Sequence, residues 1–457
     1  MFDIIDNPPK KKESKFNKTD NHKKVYIETY GCQMNFSDSE IVLSVLSDFG
    51  YNESTDLEQA DVILLNTCSV RDNAEQKIKN RLIHLTRFKK NHPGRIVGIL
   101  GCMAERLRGD LLEKEKVVDL IVGPDEYRKL PHLIENILET GEKGIAVKLS
   151  KVETYDDITP VRKDGVTAFI SVMRGCDKFC SFCVVPFTRG RERSRKLSSI
   201  VDEAKKLFDE GLKEVTLLGQ NVNSYCDEGK DFSDLLKSVA LAVPQMRIRY
   251  TTSHPYDLSD KLLETMAEYG NICKYIHLPV QSGSDRVLKL MNREYSVEHY
   301  ISIIRKAKNL MPGIGLSTDI IAGFPTETEE EHKMTMELMA EVEYDGAFMF
   351  AYSPRENTKA YKYLDDIPWE IKQRRLDEII EQQRQISYKI NNNLVGKEKE
   401  ILIEVPSKKS PDFLMGRTDC NKSTIIPKES YKIGDLVKVK ITKANSATLF
   451  AEAVIDS

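Results

Sequence analysis

Three times before residue 110 the chain runs a strand-like segment into a cysteine and then into a helix. "KVYIETYGC" ends at Cys32, "DVILLNTC" at Cys68 and "RIVGILGC" at Cys102. After Cys32, residues Val42, Val45, Leu46 and Phe49 give an i, i+3, i+4, i+7 face, with Ser37 placed to cap the helix and Gly50 to stop it. After Cys68, Ile78, Leu82 and Leu85 share one side of a second helix. The cysteines lie 36 and 34 residues apart, close to the length of one βαβ unit. Strands joined in this way are parallel, so their carboxyl ends share the sheet edge where α/β proteins bind ligands. A single strand-end cysteine reads as packing. Three in the same position of successive units point to a metal or cluster site.

A second group follows in "MRGCDKFCSFCVVPFTRGRERSR", where Cys176, Cys180 and Cys183 form C-x3-C-x2-C after the strand "TAFISVM". Further strands are expected at "KEVTLLGQ", "RIRYTTS", "YIHLPV", "GLSTDIIAGFP" and "GAFMFAYS", with helices such as "SSIVDEAKKLFDEG" between them. Six βα units are too few for a closed eight-stranded barrel and predict an open (βα)6 partial barrel. Structural zinc takes four protein ligands, and no fourth Cys or His accompanies the triplet. A cubane 4Fe–4S cluster held by three thiolates leaves one iron open.

Nine cysteines are an odd count in a long chain, which argues against a disulfide framework. Cys226, Cys273 and Cys420 fall in neither group and read as small packed side chains. The lysine-rich start lacks an apolar signal core, and no run long enough to span a membrane occurs, so the expectation is a cytoplasmic chain. Residues 1–23 read as a disordered basic tail, 24–140 as the cysteine-bearing α/β domain, 141–165 as a linker and 166–383 as the partial barrel. Residues 384–457 change to short strands with turn residues, a small antiparallel β-barrel. The formal net charge of −3 excludes a globally basic nucleic-acid binder, so RNA would have to be met by local patches. From Ile386 onward twelve Lys and Arg face nine Asp and Glu, a local excess that a solvated surface explains equally well.

The C-x3-C-x2-C loop after a first barrel strand resembles the radical S-adenosylmethionine superfamily. Together with "ETYGCQMN", "NTCSVR", "GQNVNSY", "SHP", "HLPVQSGSDRVLKLMNR" and "STDIIAGFPTET", it is similar to the MiaB-type methylthiotransferases over nearly the whole chain from Lys24. The terminal barrel resembles a TRAM domain, an RNA-binding module. The resemblance implies two 4Fe–4S clusters, an auxiliary one on Cys32, Cys68 and Cys102 and a radical one on Cys176, Cys180 and Cys183. It implies that one S-adenosylmethionine methylates a sulfur at the auxiliary cluster and a second gives a 5′-deoxyadenosyl radical. That radical takes hydrogen from C2 of N6-isopentenyladenosine at position 37, in the anticodon loop of tRNA, and the methylthio group joins that carbon. The implied partners are tRNA, an electron donor such as flavodoxin or ferredoxin, and an iron–sulfur supply system, with the enzyme a monomer and no membrane involved. Sister branches act on threonylcarbamoyladenosine in tRNA or on a ribosomal-protein aspartate. A non-catalytic metal-containing RNA-binding protein is the reading from another class, and it would require closed four-ligand sites.

Several strand-end residues are candidates for cosubstrate binding. Gln220, Asn221 and Asn223 are polar groups suited to hydrogen-bonding methionine or a base, and His277 and Gln281 occupy a similar place. In the "STDIIAGFPTET" segment, Asp319, Gly323 and Pro325 match the stretch that lies along the adenosyl group in the family. Two departures from the family pattern stand out: Cys226 where it has glycine, and Arg174 where many relatives carry an acid. Arg189, Arg191, Arg193 and Arg195 follow the cluster loop, and beside an open barrel mouth they read as phosphate contacts for an anticodon loop. Arg417 and Lys422 in the terminal barrel are further candidates for RNA contact.

Overall fold

The computed structural model describes residues 23–69, 72–162 and 165–454; residues 1–22 of the expected tail lie outside them. The chain divides into two units, one running to Arg162 and including Val184–Arg191, the other containing Lys163–Cys183 and everything from Glu192.

The first unit is one parallel sheet of six strands, in the order β2-β1-β3-β4-β5-β6. These are β1 (Lys23–Thr29), β2 (Tyr51–Glu53), β3 (Val62–Thr67), β4 (Ile96–Gly101), β5 (Leu120–Val122) and β6 (Gly144–Ala146). Helices α1 (Gln33–Ser47), α2 (Asp72–Asn91), α3 (Cys102–Lys114) and α4 (Leu130–Thr140) connect them. Strands β3 and β4 are buried along their whole length. Their alternate residues serve opposite faces: Val62 and Leu64 enter one cluster, Ile63 and Leu65 the other.

The three strand–cysteine–helix units of the sequence are β1, β3 and β4 with their helices. Strands β2, β5 and β6 are three residues each, too short to show a period. The segment expected as a linker over 141–165 instead supplies β6 and an aromatic anchor. Tyr155 is buried, stacks on Tyr127 at 5.7 Å and donates its hydroxyl to the Pro124 carbonyl at 3.0 Å. Ser37 is not a cap: α1 begins at Gln33 after Cys32, and Ser37 is buried within it.

Glu105 on α3 is 1% exposed, and Gly123 makes room for it, since a Cβ there would lie 2.2 Å from Oε2. Burial pushes its carboxyl up to about 7, against the opposing pull of Arg108. From the ordinary carboxyl value up to about 7 the folded state keeps this proton while the unfolded chain has lost it, so stability falls as pH rises through that window. Glu105→Gln is expected to abolish this dependence and to stabilise the chain at pH 8 by roughly 2 kcal/mol, read from denaturant unfolding at pH 5 and 8.

In the second unit six parallel strands form two three-stranded sheets, β9-β8-β7 and β10-β11-β12. They are β7 (Thr167–Ser171), β8 (Glu214–Leu218), β9 (Arg247–Tyr250), β10 (Tyr275–His277), β11 (Gly315–Ala322) and β12 (Gly346–Ala351). A parallel bridge from Ile248 to Ile272 links the two sheets, which gives the expected open six-stranded arc around one apolar cluster.

The helix Trp369–Asn392 turns a partly charged face inward. Lys372 and Arg375 are buried beside Ile379, whereas Ile380 is exposed. Ion pairs explain it: Lys372 meets Asp365 at 2.6 Å, and Arg375 meets Glu327 at 2.9 Å and Glu329 at 3.0 Å. The chain ends in a closed barrel, order β13-β14-β15-β17-β16. Its strands are β13 (Glu398–Pro406), β14 (Phe413–Thr418), β15 (Ser423–Pro427), β16 (Leu436–Ala444) and β17 (Leu449–Ala453).

Candidate functional site

In the first unit, Cys32, Cys68 and Cys102 follow the carboxyl ends of β1, β3 and β4. Glycines with left-handed backbone precede two of them, Gly31 at φ +125° and Gly101 at φ +85°. A Cβ on Gly31 would stand 2.4 Å from the Cys68 Cβ and 3.3 Å from its Sγ, and one on Gly101 would stand 2.5 Å from Asn66 Oδ1. The strand ends close on one another so tightly that only glycine fits. The Cys102 thiol is raised by burial, and the next influences on it are Arg189 and Cys32, so its surroundings include a second cysteine of the triplet. Cys32 Sγ donates to Asn35 Oδ1 at 3.2 Å. Asn35 and Asn66 bond each other, and Asn66 also donates to Ser39 Oγ at 2.9 Å.

Arg189 completes this edge. The short helix α5 (Val185–Arg189) packs against α3 within the first unit. Its guanidinium is 3% exposed, donates from Nε to Cys102 Sγ at 3.2 Å and pairs with Asp38 Oδ2 at 2.8 Å.

In the second unit the loop carrying Cys176, Cys180 and Cys183 follows β7 and is pinned from several directions. Gly175 N–H donates to Gln220 Oε1 at 2.5 Å. Asp177 and Glu192 exchange backbone-to-carboxylate bonds of 3.1 and 3.2 Å. Ser181 N–H reaches the Met291 carbonyl at 2.9 Å, and Asn292 Nδ2 donates to the Lys178 and Phe179 carbonyls. Burial pushes the Cys176 thiol up to about 12, and Cys180 adds to the rise. Arg293 is buried and donates from Nη1 to Cys180 Sγ at 3.3 Å.

The other sequence candidates divide. Gln220 and Asn221, expected at the cosubstrate, are committed to the chain. Asn221 donates to Asp257 Oδ2 at 2.7 Å, and both Asn221 and Asn223 accept from His254 N–H. Gly323 has φ +69°, and the atoms facing it belong to Lys372, whose Cγ lies 2.4 Å from where a Cβ would be. Its glycine therefore answers to the helix behind it. Pro325 is buried in the same turn. His277 and Asp319, on β10 and β11, approach to 3.4 Å, and the His277 ring meets Phe348 of β12 edge-on at 5.7 Å. Gln281 is buried with φ +73°, a left-handed conformation held by its backbone bonds to Asp319 and Ile321.

The basic strip expected along Arg189–Arg195 is not a surface feature. Arg189, Arg193 and Arg195 are buried, and only Arg191 is exposed. Arg195 pairs with Glu203 at 2.7 Å and donates to the Ser171 carbonyl. In the terminal barrel Arg417 pairs with Glu404 and Glu214, each at 2.7 Å, and Lys422 pairs with Asp345. These side chains bind the protein to itself, because each lies opposite a carboxylate that is itself largely buried.

His254 was not singled out by sequence beyond its "SHP" setting. Its Nδ1 accepts from Tyr256 N–H at 3.3 Å, so Nε2 carries the proton of the neutral ring, and Nε2 is buried without a partner among the described residues. Burial, with Arg293 and Lys178 nearby, holds its pKa down at about 2.

Residues 170–339 match the radical SAM superfamily, 24–123 the uncharacterized protein family UPF0004 and 393–454 the TRAM domain. A tRNA-2-methylthio-N(6)-dimethylallyladenosine synthase of Chloroherpeton thalassium is 55% identical over 94% of this chain and 96% of its own. The chain belongs to the tRNA-2-methylthio-N(6)-dimethylallyladenosine synthase family. Other synthases of this name are 53% identical in Christiangramia forsetii, over 96% of this chain and 95% of theirs, and 52% identical in Bacteroides thetaiotaomicron, over 95% and 97%. A solved radical S-adenosylmethionine methyltransferase, TsrM from Kitasatospora setae, shares the fold at TM-score 0.57 and 14% identity, over 74% of this chain and 77% of that one. No helix among the described residues of this synthase-family chain is long and apolar enough to cross a membrane.

The donor sets can be tested against the clusters such a family implies. Among the described residues no three Cys, His, Asp or Glu side chains stand in ready metal-ligating geometry. Their chemistry nevertheless fits: two sets of three soft thiols, each with an arginine donating to one sulfur. The raised Cys102 and Cys176 thiols mean that loading a cluster must displace protons held there.

Proposed function

We infer that this protein methylthiolates C2 of N6-isopentenyladenosine at position 37 of tRNA, using S-adenosylmethionine and 4Fe–4S chemistry. The observation that carries the reading is the presence of one three-cysteine set in each of two α/β units of a chain 55% identical to a named synthase. We assign Cys32, Cys68 and Cys102 to an auxiliary cluster and Cys176, Cys180 and Cys183 to the radical cluster, each with one iron left open. When bound, such clusters supply one-electron reduction, a seat for S-adenosylmethionine and the sulfur to be transferred.

The chain's own residues then have definable tasks. Gln220 holds the Gly175 amide and so fixes the turn that presents Cys176. Asn221, Asn223 and Asp257 fix His254, whose Nε2–H is a buried donor open to a ligand. His277, Asp319 and Gln281 lie at neighbouring strand ends, where cosubstrate or base would be met. The terminal barrel is the TRAM module and the natural contact for tRNA. With Arg417 and Lys422 engaged internally, its RNA face lies elsewhere on that barrel, and Arg191 is the exposed arginine of the earlier run. The reading further calls for a cytoplasmic monomer served by a flavodoxin- or ferredoxin-type reductant and an iron–sulfur supply system.

The test is an anaerobic assay of the reconstituted protein with S-adenosylmethionine, a reductant, and tRNA carrying either isopentenyl- or threonylcarbamoyl-adenosine. Nucleosides are read by mass spectrometry. Methylthio product from the isopentenyl substrate alone is expected; product from the other alone would move the chain to the sister branch.

A further inference from the structure

Both three-cysteine sites contain the same device. In the first unit Arg189 donates to Cys102 Sγ at 3.2 Å, and in the second Arg293 donates to Cys180 Sγ at 3.3 Å. Both guanidinium groups are buried. Their remaining partners differ in kind. Arg189 pairs with the Asp38 carboxylate at 2.8 Å, so its charge is balanced. Arg293 gives its other hydrogen bonds to Tyr295 Oη at 2.9 Å and the Pro279 carbonyl at 2.7 Å, both uncharged, and no carboxylate pairs with it among the described residues. Its charge is unbalanced except by the sulfur it faces.

We propose that Arg293 and Arg189 are positioning residues that set the reduction potentials of the two clusters through their hydrogen bonds to Cys180 and Cys102, with the unbalanced Arg293 raising the radical cluster more than the Asp38-neutralised Arg189 raises the auxiliary one. The proposal rests on the cluster assignment above. Three thiolates bring like charge to one site beside a buried guanidinium, and each reduction adds another negative charge. A fixed cation on a ligand sulfur favours the reduced state, because cluster potentials follow net charge and hydrogen bonding to sulfur. A guanidinium already paired with a carboxylate contributes its N–H bond but little net field.

Each cluster can be read alone in the full-length chain. Replacing Cys32, Cys68 and Cys102 with Ala leaves the radical site; replacing Cys176, Cys180 and Cys183 with Ala leaves the auxiliary site. Midpoint potentials are taken by redox titration followed by electron paramagnetic resonance, with iron content measured on the same samples. In the first background, Arg293→Gln is expected to move the potential to more negative values and Arg293→Lys to restore most of it. Loss of iron from Arg293→Gln with retention in Arg293→Lys would support the same conclusion. In the second, the charge-neutral double change Arg189→Gln with Asp38→Asn is expected to give a smaller negative shift. An unchanged potential in iron-replete Arg293→Gln, a larger shift in the double variant, or loss of iron from both Arg293→Gln and Arg293→Lys would overturn the proposal. Absence of iron from the two cysteine-deleted parents would instead overturn the cluster assignment and the proposal with it.

Discussion

Cys32→Ala is expected to go on cleaving S-adenosylmethionine while forming no methylthio-tRNA, whereas Cys176→Ala should lose both activities. The two cysteines belong to different units, Cys32 at the edge of the six-stranded sheet and Cys176 in the loop after β7. Neither change disturbs a packed core. Cys32 is exposed and its one side-chain bond is to Asn35, while the loop around Cys176 is held chiefly through backbone groups by Gln220, Glu192 and Asn292. The variants should therefore fold and differ in chemistry alone. Released 5′-deoxyadenosine measures the first activity and modified nucleoside the second. Methylthio product from Cys32→Ala at a normal rate would refute the two-cluster assignment.

Glu214→Ala is expected to destabilise the chain by about 3–5 kcal/mol, among the largest effects open to a single substitution here. Its carboxylate is completely buried, with one oxygen on Arg249 at 2.8 Å and the other on Arg417 at 2.7 Å. Arg249 also donates to the Thr418 and Asp419 carbonyls, and Arg247 pairs with Glu400, so this network is where β8 and β9 hold the terminal barrel. Removing the acid leaves two cations without their shared counter-charge, one of them almost wholly buried. Arg417→Ala should cost less, because Glu214 keeps Arg249. Denaturant unfolding with proteolysis near Gly396 would follow the loss of docking. Equal stability of Glu214→Ala and the parent would show that this network is dispensable.

Most strands were legible in the sequence as apolar runs, even the three-residue β10, whose run continues past its end as "YIHLPV". All six strands of the partial barrel, and β1, β3 and β4 with their trailing cysteines, were foreseen in this way. What escaped was structure made by charge. The inward face of Trp369–Asn392 includes Lys372 and Arg375, which apolar periodicity assigns to solvent because it cannot see Asp365 and Glu327 waiting opposite. Arg189 was misread for the same reason: its partners Cys102 and Asp38 lie 87 and 151 residues away in sequence. A usable signal was present at the cysteines themselves. Gly31, Gly101 and Gly175 each stand directly before a candidate ligand and each has positive φ, so the Gly-Cys dipeptide marks the backbone reversal that turns the thiol out of its strand end.

The excursion of Val184–Arg191 into the first unit bears on how the protein is made. A ribosome that has released residues 1–162 has emitted the whole six-stranded sheet but not the guanidinium that neutralises Asp38. Until Arg189 emerges, the Asp38–Arg189 ion pair of that buried site cannot form. The leading half must then remain unfinished during synthesis until the cysteine loop of the trailing half has also been translated. The two halves are consequently poor interchangeable modules. A truncation at residue 162, or a chimera joined there, removes part of the first unit's own interior, and a workable exchange has to carry Val184–Arg191 with the N-terminal sheet.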